Sequence, residues 1–198
     1  MNVLKFFIHN RKLKNETVET KKASTEQILF AESALEILNP KIESFGFERT
    51  KTKIEKHFTQ IIFRKENQYL KISSSTYPTD YPYSYNIILG EGDSESFPET
   101  DWNSISLWWL KKYLEPNSKV KEYDFPFNEK VKFSLEKAEE ELIKYGITFL
   151  NGDLQKFYEA RKELNKAREP YKIHTKDENG KYISEYEKES MELKQKFS

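Results

Sequence analysis

The sequence predicts an α+β fold, a meander of three to four antiparallel strands covered by helices in a single domain. Residues 58–92 give the first indication, because they are rich in the β-branched and aromatic residues typical of strands. The second is the helical periodicity of the segments on both sides of this stretch. The third is the length of 198 residues, for which one domain is the default.

Three strands are predicted within this stretch and one before it. The three are Phe58–Arg64, Tyr69–Ser75 and Tyr83–Leu89. The highly charged segment Glu48–Lys56 precedes them and is predicted to be an edge strand, where charges discourage association between sheets. Apolar and polar residues alternate in the third strand, which predicts one buried face. The members of that face are Tyr83, Tyr85, Ile87 and Leu89.

The first predicted helix precedes the strands. Ser24 is a good N-cap, with Gln27 three residues later as in a capping box. Apolar residues follow at helical spacing: Ile28, Ala31, Leu35, Leu38, Ile42 and Phe45. Pro40 predicts a kink or a break, and Gly46 predicts the end of the helix.

The segments after the strands predict further helices. One covers residues 104–114, with Asp101 or Asn103 as its cap and two tryptophans that pack on the sheet. Another runs from Asn128 to Gly146, and a third from Asp153 to about residue 168. The chain therefore divides into a flexible basic segment (1–22), the domain (23–170), and a tail (171–198). The tail is predicted to form a hairpin and a charged helix.

Composition limits the classes of function. The chain has 33 basic and 33 acidic residues, and this balance argues against binding of nucleic acid, which needs a basic excess. It has no cysteine, which excludes disulfides, thiolate chemistry and cysteine–zinc sites, and fits a reducing cytoplasm. No stretch approaches the roughly 20 apolar residues needed to span a bilayer. We expect a cytoplasmic protein without a membrane span.

The sequence contains no recognisable catalytic or cofactor motif. Its three histidines, His9, His57 and His174, are not spaced as zinc ligands on a helix. The glycine motifs that bind phosphates and the G-x-S-x-G motif of hydrolases are absent. We therefore predict no catalytic residue, no metal ligand and no cofactor.

Carboxylates cluster after the third strand. They are Glu91, Asp93, Glu95, Glu99 and Asp101, and Asp80 in the preceding loop can lie near them. Such a cluster can meet a basic surface of a protein partner, where it speeds association and fixes orientation. It can also bind Mg²⁺ or Ca²⁺, as in a metal-dependent hydrolase, or it can be a solvated loop.

Tyrosines cluster in the loop before the third strand and at the start of that strand. They are Tyr77, Tyr81, Tyr83 and Tyr85, and Pro78 and Pro82 hold their loop extended. Tyrosines on such a loop lose little entropy on binding and offer both apolar area and hydroxyl groups to a protein. They can also stack on the bases of a single-stranded nucleic acid, or pack across the sheet.

The order of elements resembles uncharacterised bacterial families of small α+β domains, some of them among toxin-immunity proteins. The resemblance covers the plan of residues 24–168: a helix ending at Gly46, antiparallel strands, a tryptophan-bearing helix, and C-terminal helices near KYGITFLNGDLQKF. It implies a non-enzymatic role in which the protein binds and neutralises a partner. It identifies no functional residue.

The leading hypothesis is therefore an intracellular, immunity-like protein-binding module that meets a basic partner surface. The alternatives are a metal-dependent hydrolase that uses the carboxylates of residues 91–101, and a protein that binds single-stranded nucleic acid. The residues predicted to bind the partner are Tyr77, Asp80, Tyr81, Tyr83, Glu91, Asp93, Glu95 and Asp101.

Overall fold

The fold is α+β, with a mostly antiparallel sheet and five helices among the residues described. The computed structural model describes residues 17–93 and 101–198. The sheet contains seven strands: β1 (Thr17–Lys21), β2 (Glu48–Glu55), β3 (Phe58–Lys65), β4 (Gln68–Ser75), β5 (Ser84–Glu91), β6 (Ser104–Ser106) and β7 (Tyr123–Asp124). Their order is β1-β2-β3-β4-β5-β6, and β7 pairs with the start of β5.

The sheet is larger than the predicted three or four strands. The meander β2–β5 is confirmed, but β2 is not an edge strand, because β1 pairs with it in parallel. Residues 17–21, which form β1, belong to the segment that was expected to be flexible. The strands β6 and β7 contain only three and two residues, too few to show an alternating pattern.

The helices are α1 (Thr25–Ser44), α2 (Leu107–Leu114), α3 (Lys130–Leu150), α4 (Gln155–Ala167) and α5 (Lys188–Phe197). The predicted limits of α1 are confirmed: the Ser24 side chain accepts a hydrogen bond from the backbone of Gln27, and Gly46 follows with a φ of 84°. The helix continues through Pro40, so the predicted break is wrong. None of the helices in the described ranges is long and apolar enough to cross a membrane.

Two of the predicted helix ends are wrong. The helix expected from residue 104 begins at Leu107, because residues 104–106 pair with β5 as β6. The helix expected to stop at Gly146 continues to Leu150. A Cβ at Gly146 would lie 3.1 Å from the side chain of Leu142 in the preceding turn of α3, so the glycine leaves room for that leucine.

The core lies between one face of the sheet and the helices α1–α4. It contains the predicted residues Tyr85, Ile87 and Leu89, all fully buried. Each large apolar side chain that becomes fully buried stabilises the fold by about 1.5–3 kcal/mol.

The tail forms the predicted hairpin and final helix. Strands β8 (Lys172–Lys176) and β9 (Tyr182–Tyr186) pair only with each other among the described residues. Gly180 has a φ of 77° in the turn between them, as the Asn-Gly pair predicted. The helix α5 follows directly, and its Ser190 hydroxyl accepts a hydrogen bond from the backbone of Tyr171.

Candidate functional site

The tyrosine loop, residues 77–83, joins β4 to the start of β5. It begins with a 3₁₀ turn, Pro78–Asp80, that has proline in its first turn. The Asp80 carboxylate accepts hydrogen bonds from the Ser75 hydroxyl and, at 3.0 Å, from the Thr79 hydroxyl. These local bonds and the two prolines, Pro78 and Pro82, restrict the loop.

The tyrosine side chains point in different directions. Tyr81 is 79% exposed, and its ring meets the half-buried ring of Tyr83 edge-on at 5.6 Å. Tyr83 in turn lies 6.4 Å from Phe127, again edge-on. Tyr77 is also exposed but lies beside His57, 5.3 Å between ring centres. The predicted residues Tyr81 and Tyr83 therefore form one aromatic surface with Phe127.

A groove of about 830 Å³ adjoins this surface. Its lining consists of Lys111, residues 119–130, and Phe133, Ser134, Lys137 and Glu141 of α3. Residues 119–130 are held against the sheet by the pairing of β7 with β5. A 2.9 Å hydrogen bond from the Phe125 amide to the Tyr83 carbonyl adds to this attachment. The tyrosine loop and the wall of the groove are thus joined by backbone bonding.

Several polar groups in the wall of the groove and directly beneath it are paired with one another. The Glu141 carboxylate accepts hydrogen bonds from Tyr123 at 2.7 Å and from Lys111 at 2.6 Å. The Tyr123 ring stacks on Tyr85, whose hydroxyl lies 2.9 Å from that of Ser134. Burial raises the pKa of Tyr85 to about 12, and burial together with Glu141 raises the pKa of Tyr123. Both tyrosines are therefore neutral hydrogen-bonding groups at pH 7.

The rim of the groove carries exposed aromatic rings and charged side chains of both signs, among them Glu122 and Glu129. Phe127 and Phe133 are 43% and 72% exposed. Lys119, Lys130 and Lys137 form no ion pair with any residue in the described ranges, unlike Lys111. Exposed aromatic rings beside lysine and glutamate side chains therefore distinguish this end of the molecule.

Glu91, at the other end of β5, is hydrogen-bonded to side chains of a distant helix. Glu91 accepts hydrogen bonds from two residues of α4, Tyr158 at 2.8 Å and Arg161 at 3.2 Å. The ion pair with Arg161 is mostly shielded from water, with the two side chains 18% and 11% exposed. Glu91 therefore fixes α4 to the end of the sheet.

Asp101 is a buried structural residue, and the prediction that it caps α2 is wrong. Its carboxylate accepts hydrogen bonds from the hydroxyl groups of Tyr69 and Ser104, both at 2.8 Å, and from the amide of Asn103 at 3.1 Å. The residue is 5% exposed. The strand β6 begins three residues after Asp101. The Asp101 carboxylate therefore binds groups of the sheet and does not cap a helix.

The predicted carboxylates do not form a described metal site. Asp93 is exposed and takes part in an interaction, whereas Glu95 and Glu99 lie outside the described residues. Within residues 17–93 and 101–198, no group of three or more potential ligands is arranged to hold a metal ion. The structure thus separates Tyr81 and Tyr83 from Glu91 and Asp101, placing them at opposite ends of β5.

Sequence reasoning missed the aromatic rim of the groove and the arginine that binds Glu91. Phe133 could have been found, because it falls between Val131 and Leu135 and so lies off the apolar face of α3. Arg161 gave no such signal, since its contact with Glu91 spans 70 residues.

No protein-family model, curated protein or solved structure matches the chain.

Proposed function

We propose that the protein is a non-enzymatic protein-binding module, with the tyrosine loop and the adjoining groove as its binding surface. The observation that supports this proposal is a group of exposed aromatic rings with Tyr81, at 79% exposure, as its most exposed member. Large apolar side chains left in water next to a groove are typical of interaction sites. Tyrosine is also enriched among the residues that contribute most to binding at protein interfaces.

The rigidity of the loop supports the same proposal. A loop that is held in one conformation loses little entropy when it binds. The Pro78–Asp80 turn and the bonds of Asp80 hold the start of the loop, and the Phe125–Tyr83 bond holds its end. The aromatic rings therefore lie on a preorganised surface, which lowers the entropy cost of binding.

The pairing within the groove favours binding over catalysis. A general acid or base needs a pKa near the working pH and access to a substrate. Glu141 already accepts two hydrogen bonds, and the raised pKa values of Tyr85 and Tyr123 keep these hydroxyls neutral. These groups support the wall of the groove and leave the aromatic rim to make contacts.

The proposed partner is a cytoplasmic protein that the module neutralises, as the resemblance to immunity proteins implies. The predicted carboxylates Glu91 and Asp101 are bonded within the fold, so they do not contact the partner. The carboxylate that contacts the basic surface of the partner is Asp80. The lysines on the rim of the groove suit acidic groups next to that surface. We therefore propose a partner surface with an apolar centre and charges of both signs.

Affinity capture from the protein's own cells tests this proposal. The bait proteins are the wild type, Tyr81→Ser, and Tyr171→Ser as a control that removes an exposed tyrosine (44% exposed) far along the chain. We expect the wild type and Tyr171→Ser to retain a common partner that Tyr81→Ser loses. Retention of the same partners by all three baits would contradict the proposal, as would the absence of any partner specific to the wild type.

A further inference from the structure

The hairpin β8–β9 is exposed on both faces and along both edges. Nine of its ten strand residues are exposed, and no other strand in the described ranges pairs with it. A two-stranded hairpin is only marginally stable in water without further strands or packing. Its free edges are templates for pairing with another strand.

The hydrogen bonds at its two ends show which backbone groups point outward. The Glu187 amide donates to the Tyr171 carbonyl at 2.8 Å, and the Asp177 amide donates to the Lys181 carbonyl at 2.9 Å. Bonded and non-bonded pairs alternate along an antiparallel ladder. The free edge of β9 therefore presents the N–H and C=O groups of Tyr182, Ser184 and Tyr186.

We propose that two copies of the chain associate through this edge, with β9 of each copy paired antiparallel and Ser184 on the two-fold axis. In this register every outward group finds a partner, because Ser184 bonds with Ser184 of the second copy and Tyr182 with Tyr186 of the second copy. Aromatic residues directly opposite each other stabilise antiparallel strands. The result is a four-stranded sheet with β9 strands at its centre.

The edge of β8 cannot form the equivalent pair favourably. A two-fold axis at His174 would place Lys172 opposite Lys176 of the second copy, and like charges directly opposite each other destabilise a sheet. The same lysines are well placed in the β9 pairing. Lys172 lies 4.8 Å from the ring centre of Tyr186 and Lys176 lies 5.0 Å from that of Tyr182, so each covers a tyrosine at the outer side of the new sheet.

The association is weak because the contact is short. Each edge is a five-residue strand, and interfaces far below standard size are typical of transient complexes. We therefore expect a monomer at micromolar concentration that shifts to a dimer as the concentration rises to millimolar, without larger species.

Sedimentation equilibrium over this range tests the proposal with two matched variants. Ser184→Lys places a lysine opposite its own copy at the axis, so the dimer should be lost. His174→Lys adds a lysine on the same rung of the hairpin but on β8, and should leave the dimer intact. Both variants remove the same hydrogen bond, that between His174 and Ser184, so its loss does not distinguish them. Circular dichroism verifies that both variants are folded.

A mixing experiment shows whether Ser184→Lys loses the dimer through charge repulsion or through unfolding of the hairpin. Ser184→Lys and Ser184→Glu are each expected to be monomeric, whereas an equimolar mixture should form a heterodimer through opposite charges at the axis. A wild type that remains monomeric at millimolar concentration would overturn the proposal. A dimer lost equally in Ser184→Lys and His174→Lys, or a mixture that stays monomeric, would also overturn it.

Discussion

The two ends of β5 each carry a cluster of residues predicted to bind a partner, aromatic at the start and acidic at the end, but the two clusters have opposite surroundings. At its start, Tyr81 and Phe127 are exposed above a groove. At its end, Glu91 accepts hydrogen bonds from α4, and the buried Asp101 accepts one from Tyr69. Both clusters look accessible in the sequence. The difference shows that a cluster seen in the sequence stays accessible only where no element distant in the chain covers it.

The close approach at the end of β5 has a specific cause. The ring of Tyr69 occupies the space in which a side chain at Gly90 would lie, directly across the β4–β5 pair. The ring can therefore cross the sheet and place its hydroxyl 2.8 Å from Asp101. At the start of β5, the rings of Tyr81, Tyr83 and Phe127 pack on one another and leave Tyr81 and Phe127 exposed.

Replacing Asp101 is expected to have the largest effect on stability. In Asp101→Ala, the buried hydroxyls of Tyr69 and Ser104 lose their acceptor, and the free energy of unfolding should fall by about 3 kcal/mol. Urea denaturation measures the change. The control Asp80→Ala removes an exposed carboxylate and should cost under about 1 kcal/mol. Equal losses of unfolding free energy in Asp101→Ala and Asp80→Ala would contradict the claim that only the carboxylate at the end of β5 supports the fold.

Gly90→Ala is expected to destabilise the fold by about 2 kcal/mol, because overpacking forces the surrounding side chains to move. The new Cβ would lie 2.2 Å from the Tyr69 ring. In a double-mutant cycle with Tyr69→Ala, the alanine at position 90 should cost little, since the ring is gone. Additive losses of unfolding free energy would show that the ring does not determine the role of Gly90.

The buried tyrosine at the start of β5 should make the fold sensitive to alkaline pH. Burial raises the pKa of Tyr85 to about 12, above the ordinary value of 10.0, so its contribution is fully present below pH 10. As the pH rises from 10 to 12 this tyrosine ionises first in the unfolded chain, and the part of the stability due to Tyr85 falls by up to about 1.4 kcal/mol per pH unit. Chemical denaturation at each pH should show a shallower fall for Tyr85→Phe. If stability fell equally steeply with pH in Tyr85→Phe and in the wild type, Tyr85 would not be a cause of the alkaline sensitivity.

The exposed aromatic rings should contribute least to stability. Tyr81→Ser and Phe133→Ser should each change the free energy of unfolding by no more than about 0.5 kcal/mol, because both side chains lie mostly in water. Thermal and urea unfolding measure this. A loss of several kcal/mol would mean that the rings support the fold, which would remove the main reason for assigning them to binding.

The sequence was informative where local chemistry determines structure. Ser24 and Gly46 correctly bounded α1, and alternation correctly identified the buried face of β5. It failed where distant segments meet. Gly146 predicted a helix end, but it lies inside α3, where it leaves room for the side chain of Leu142. The partner of Glu91, Arg161, lies 70 residues away, and no local pattern encodes such a pairing.

The central claim is that the binding surface lies at the start of β5 and not at its end. A photoreactive benzophenone amino acid at position 81 or at position 93 tests this directly in the protein's own cells, because both native residues, Tyr81 and Asp93, are exposed. We predict a covalent adduct with a partner protein from position 81 and none from position 93. Adducts from position 93, or no adduct from position 81, would contradict the claim.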